Sequence, residues 1–81
     1  MKISFFKEQL KLGHEIEFAY KGKRYSFTFG ENNGKPVIAF CEFYKPDIEF
    51  NTVDEIIAAS YDGIKISDMI ESLTENDIDV F

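Results

Sequence analysis

The chain holds one histidine and one cysteine, so nucleophilic or imidazole-assisted chemistry would have to run through His14 or Cys41. A hydrolytic triad needs a nucleophile, an imidazole and an acid to converge. Neither a nucleophile-elbow nor a Cys–His pattern is present. Cys41 lies in the strand-like run Ile38-Ala39-Phe40-Cys41-Glu42-Phe43, next to an acid. A reactive thiolate wants a nearby cation or a helix N-terminus, so Cys41 reads as a small apolar filler. A lone cysteine also excludes an intramolecular disulfide and a thiolate-rich metal centre. His14 follows the first expected helix, where an imidazole complements the negative end of the helix dipole.

The remaining motifs carry no chemistry either. Gly13, Gly22, Gly30, Gly34 and Gly63 are isolated, and none builds a phosphate-cradling loop. The nearest approach to a metal-binding spacing is Glu75-Asn76-Asp77-Ile78-Asp79, which lacks the glycine and distal glutamate of a calcium loop. The sequence therefore predicts a protein that is not an enzyme, with no cofactor and no metal.

Charge is the feature left over. The net charge of −6 hides an asymmetry. Residues 1–35 carry seven bases against four acids, a net +3, and residues 36–81 carry two bases against eleven acids, a net −9. Nucleic-acid binding wants a basic face, and only Lys21-Gly22-Lys23-Arg24 offers one, so direct nucleic-acid binding is not expected. The acids Asp47, Glu49, Asp54, Glu55, Asp68, Glu71, Glu75, Asp77 and Asp79 form the candidate interaction surface. Acids also alternate with apolar residues in Glu15-Ile16-Glu17-Phe18, Asp47-Ile48-Glu49-Phe50 and Asp77-Ile78-Asp79-Val80. Half-buried strands with acids outward produce that pattern and resist edge-to-edge association. So would a surface that mimics nucleic acid and occupies a basic groove.

These residues must be positioned by few elements, because 81 residues hold one domain and one core. Nine Phe and four Tyr supply that core, and each buried aromatic removes roughly 150–250 Å² from water. Ile3, Phe6 and Leu10 share one face of a helix over residues 3–12, with Gly13 at its C-terminal end. From His14 the period changes to two. Ile16, Phe18 and Tyr20 face one way, and Tyr25, Phe27 and Phe29 continue the alternation after Lys21-Gly22, which is a β-hairpin pattern. A two-residue loop pairs Phe18 with Tyr25, and a four-residue loop pairs Phe18 with Phe27. A three-residue loop would split the aromatics between faces.

A third strand over 37–43 follows the turn Glu31-Asn32-Asn33-Gly34-Lys35-Pro36. It presents Ile38 and Phe40 to the core and Ala39 and Cys41 to the opposite side, and Phe43 and Tyr44 then break phase. Ile48-Glu49-Phe50 is too short to assign. Thr52-Val53-Asp54-Glu55 fits a capping box and starts a second helix, with Val53, Ile56, Ile57 and Ser60 inward and Asp62-Gly63 as its end. A third helix over 65–73 carries Ile66, Met69, Ile70 and Leu73 on one face. The tail alternates and offers a short fourth strand or an extended cap. The expected fold is α+β, in the order α-β-β-β-α-α, a three-stranded antiparallel meander packed on helices.

The hairpin Glu15-Ile16-Glu17-Phe18-Ala19-Tyr20-Lys21-Gly22-Lys23-Arg24-Tyr25-Ser26, the segment Ile48-Glu49-Phe50-Asn51-Thr52-Val53-Asp54-Glu55-Ile56 and the later Asp62-Gly63 resemble a group of short, uncharacterised proteins of Gram-positive bacteria and their mobile elements. The resemblance runs from Gly13 to Leu73 and consists of hairpin, cap and turn residues. It implies the element order and supplies neither activity nor site. No apolar run reaches the roughly 18 residues of a membrane span, and Lys2 and Lys7 interrupt the start too early for a signal-peptide apolar region. The expectation is a cytoplasmic protein-interaction module, monomer or homodimer, with an unknown protein partner and no membrane association. The alternative is a phage- or mobile-element-encoded acidic inhibitor that mimics nucleic acid and blocks a host or defence enzyme.

Overall fold

Two tight turns organise the chain. In the computed structural model, which describes all 81 residues, Lys21 and Gly22 take φ of 49° and 79°, and Asn33 and Gly34 take 53° and 78°. Positive φ at both central residues defines the two-residue hairpin turn whose twist matches that of the flanking strands. The first turn joins β1 (Ile16–Tyr20) to β2 (Lys23–Asn32), and the second joins β2 to β3 (Lys35–Glu42). Of the two registers the sequence allows, the structure has the one for the shorter loop: Ile16 opposite Phe27 and Phe18 opposite Tyr25.

The meander then gains a strand at each edge. β4 (Ile48–Phe50) pairs with β3, and the tail strand β7 (Ile78–Val80) pairs with β1, giving an antiparallel sheet in the order β4-β3-β2-β1-β7. The α+β meander on helices is thus present, extended to five strands. α1 (Ile3–Lys11) precedes it. Its end is a Schellman motif: His14 N–H donates to the Gln9 carbonyl at 3.0 Å and Gly13 N–H to that of Leu10 at 3.1 Å, with Gly13 at φ 84°.

The second half departs from expectation in one place. α2 (Val53–Ala58) starts on the predicted capping box, with Thr52 Oγ1 accepting from Glu55 N–H at 3.2 Å and Glu55 Oε1 accepting from Thr52 N–H at 2.9 Å. It does not run on to Asp62-Gly63. It stops at Ala58, and Ser60, expected on its inward stripe, is exposed. Asp62 and Gly63, at φ 54° and 78°, are instead the turn of a third tight hairpin between β5 (Ser60–Tyr61) and β6 (Ile64–Lys65). α3 (Ile66–Glu71) leaves β6 directly, and a 3-10 turn at Glu75–Asp77 leads into β7.

Facing residues on paired strands share a side of the sheet, so the register sorts the strands into two faces. The inner face carries Ile16, Phe18, Tyr25, Phe27, Ile38 and Phe40. These form one buried cluster with Phe6 and Leu10 of α1, Ile56 of α2, and Ile66, Met69 and Ile70 of α3. Phe18, Tyr25, Phe27 and Phe40 lie ring to ring at centroid distances of 5.0–5.8 Å. Phe6 meets Phe27 edge-on at 5.0 Å, and Tyr61 meets Phe40 edge-on at 5.2 Å. All three helices therefore contribute to the core on one side of the sheet.

Candidate interaction surface

The outer face has no helix against it. From the register, its rows run Asp79–Glu17–Ser26–Cys41, then Thr28–Ala39–Glu49, then Gly30–Val37, with Ala19–Arg24 beside the first row. None of these residues belongs to the buried cluster or packs against it. The expectation that Ala39 and Cys41 turn away from the core holds. Small side chains dominate the middle of this face, while its ends carry charge.

One end is an aromatic and cationic rim. Arg24 sits 5.5 Å over the Phe43 ring, and the Phe43 N–H donates to the Arg24 carbonyl at 2.9 Å. Strand β3 ends at Glu42, and the chain turns at Tyr44, which takes φ 68° and is fully exposed at 103%. A bulky residue held at positive φ with its ring in solvent is uncommon. Its ring meets that of Phe43 edge-on at 6.2 Å. The Arg24 guanidinium also reaches Glu17 at 3.4 Å and Asp79 at 3.6 Å.

The nine acids singled out from the sequence are spread over several elements. Glu49 lies on the outer face and accepts from Asn32 Nδ2 at 2.9 Å. Asp79, on the opposite edge strand, faces Glu17. Asp54 and Glu55 lie in the first turn of α2, where Asp54 pairs with Lys7 at 3.1 Å and Glu55 closes the cap. Asp68 and Glu71 are exposed on α3, Asp47 is exposed before β4, and Glu75 is exposed in the 3-10 turn. Asp77 accepts from the Thr74 N–H at 2.9 Å and the Thr74 hydroxyl at 3.0 Å. Those bonds hold its carboxyl below the usual range. Glu49 and Asp79 thus share a face at opposite edges, whereas Asp54, Glu55, Asp68 and Glu71 belong to the helical layer.

Sequence reasoning missed the one buried acid. Glu42 points to the inner face opposite Tyr25, is 9% exposed, and accepts the Tyr61 hydroxyl at 2.9 Å. Lys23 Nζ lies 3.9 Å from its other oxygen. The bond to Glu42, reinforced by burial, pushes the Tyr61 hydroxyl up to about 12. This contact fastens the β5–β6 hairpin to the sheet. The signal for it was the strict alternation of Phe40 and Glu42, which puts both on one face.

His14 and Cys41 are held by local bonds and do not converge with a partner acid. His14 Nδ1 donates to Gln9 Oε1 at 2.7 Å, and the Cys41 thiol lies 3.0 Å from the carbonyls of Glu42 and Lys45. No three His, Cys, Asp or Glu side chains gather closely enough to share a metal ion. No helix is long and apolar enough to cross a membrane. A groove of about 410 Å³ opens between α1 and the segment after α3, lined by Met1, Phe5, Leu73 and Ile78 among others. No protein-family model, curated protein or solved structure matches the chain.

Proposed function

We propose that the chain is a small protein-binding module that docks a partner protein on the outer face of its sheet. The observation that carries this reading is the absence of any helix over a face whose centre is Ser26, Thr28, Ala39 and Cys41 and whose rim displays Arg24, Phe43 and Tyr44. Small side chains let another surface approach the backbone closely, and Tyr and Arg are the residues that most often anchor interfaces. The acids favour this reading over nucleic-acid mimicry. Glu55 and Asp77 cap turns, Asp54 and Asp79 pair with bases, and Glu49 accepts a hydrogen bond.

The test compares immobilised native chain with Tyr44→Ala and Ser26→Arg. Tyr44 is fully exposed, so its truncation should leave the melting temperature unchanged and weaken a bound partner by about 2 kcal/mol. Retention equal in all three chains would remove the docking face. Retention that is competed by DNA and collapses with salt would favour the mimic instead.

A further inference from the structure

The β2–β3 hairpin projects beyond its neighbours, and its two flanks are treated differently. Strand β2 runs from Lys23 to Asn32, yet β1 pairs with it only along Lys23–Phe27. On that side, no strand pairs with Thr28–Asn32. In a two-residue hairpin the residues flanking the turn exchange hydrogen bonds, and backbone groups alternate in direction from there. Asn32 and Gly30 therefore direct their N–H and C=O groups toward β3. Phe29 and Glu31 direct theirs toward the vacant side.

The other flank carries a block at the same rung. Glu31 faces Pro36, whose nitrogen lies on the outward side of β3 and has no proton to donate. Proline at such a position is a common way to blunt an edge. Beyond it, β4 covers Ile38–Phe40. One side of the projecting hairpin is thus closed by proline and a strand, while the other keeps a usable ladder. Beside that ladder stands Phe29, 38% exposed on the inner side, with Glu31 two residues on and Glu15 just before β1.

We infer that the open edge of β2 at Thr28–Asn32 receives an extended basic segment of a partner protein as a local additional strand. The segment places an apolar side chain against Phe29 and a Lys or Arg against Glu31. Backbone pairing along an exposed sheet edge is an established mode of peptide recognition, with affinity from the main chain and selectivity from alternate side chains. A second copy of this chain is the poorer occupant. Each copy carries −6, and a five-residue edge cannot approach the roughly 1,200 Å² of a specific stable interface. The inference rests on the reading of the chain as a protein-binding module but uses a different part of its surface.

The probe is the synthetic peptide acetyl-TKTVTKT-amide, whose Val and flanking Lys share one face as Phe29 and Glu31 do, titrated into isotopically labelled protein, with acetyl-TETVTET-amide as the charge control. We expect the largest amide shifts, and new protection from hydrogen exchange, at Phe29 and Glu31. Glu31→Pro removes an N–H that no internal ladder uses, and Gly30 before it tolerates the constraint, so the fold should persist while peptide binding falls about tenfold or more. Glu31→Gln should weaken binding less and leave the protection in place. A TKTVTKT peptide with its alternate amides N-methylated should bind no better than the Glu31→Pro protein binds the parent peptide. Absence of shifts at Phe29 and Glu31 overturns the inference, as does equal binding of the acidic peptide. Binding that Glu31→Pro spares, or that maps to Ser26 and Ala39, also overturns the edge and leaves the outer face as the docking surface. Self-association that Glu31→Pro abolishes would assign the edge to a second copy.

Discussion

The two faces of the sheet are built from alternate residues of the same strands, yet they solve different problems. Phe27 is wholly buried among Phe6, Phe18 and Phe40, while Thr28, the next residue, lies on the helix-free side. Along β3, Phe40 is enclosed by aromatics, and its neighbours Ala39 and Cys41 have no helix over them. The inner face gains its stability from area and shape, because each ring meets several others at contact distance. The outer face stands apart from that cluster, although Val37 and Ala39 on it are shielded to 6% and 8% exposure by their neighbours. Adjacent positions in one strand thus divide folding from display.

That contrast is sharpest at Phe27 and Thr28. Phe27→Ala should cost about 3–5 kcal/mol in urea unfolding, because the surrounding rings cannot collapse into the space. Thr28→Ala should stay within about 0.5 kcal/mol. Comparable losses at both positions would mean that something in the molecule packs on the outer face after all.

The second test concerns the one charge on the inner face. Tyr61→Phe leaves the buried Glu42 carboxylate with only Lys23 at 3.9 Å and should cost about 1–3 kcal/mol. It has a matching pH signature. The folded protein holds the Tyr61 proton up to about 12, above the ordinary value of 10.0. Stability from that group is therefore complete below pH 10 and is lost as the pH rises toward 12. Stability curves of the native chain should bend downward there, and those of Tyr61→Phe should bend less. Absorbance of the tyrosinate should show one late-titrating group missing from the variant.

The smallest effects separate turn from strand. Gly34 has φ 78° in the β2–β3 turn, so Gly34→Ala should destabilise by about 1 kcal/mol. Gly30 lies in the same hairpin on the outer face, with ordinary φ and nothing within 4 Å of an added Cβ. Gly30→Ala should be neutral or stabilise by up to about 1 kcal/mol. Thermal melts of the pair decide it, and a loss at Gly30 would show that the outer face of the hairpin is already closely approached.

Much of this was legible in the sequence where a period or a cap repeated over enough residues. Ile16 to Phe29 alternates long enough to limit the register to two choices, and Thr52 with Glu55 marks the start of α2. The tail alternates and is a strand. Other features lay below that resolution. Ile48-Glu49-Phe50 spans too few residues to show a period, and becomes a strand only because β3 is there to pair with it. Asp62-Gly63 has the composition of a helix stop and of a tight hairpin turn alike. What decides is the pairing of Tyr61 with Ile64, and the fixing of Tyr61 by a buried acid 19 residues earlier. The candidate surface was the least legible. Counting acids along the chain says nothing of which face each lies on, so Glu49 and Asp54 looked alike although one lies on the sheet and the other on a helix. The Arg24–Phe43–Tyr44 rim joins one residue of β2 to two in the turn after β3, a grouping that no linear spacing announces.

The three two-residue turns have a further consequence for assembly. Residues joined across β1–β2, β2–β3 and β5–β6 are close in sequence, so the entropy of closing their loops is small. Such hairpins form in about 1–10 μs. The β1–β7 ladder is the exception, joining Ile16 to Val80. Its closure waits on the rest of the chain, which makes the tail strand the natural first element to detach and the central meander the part that persists.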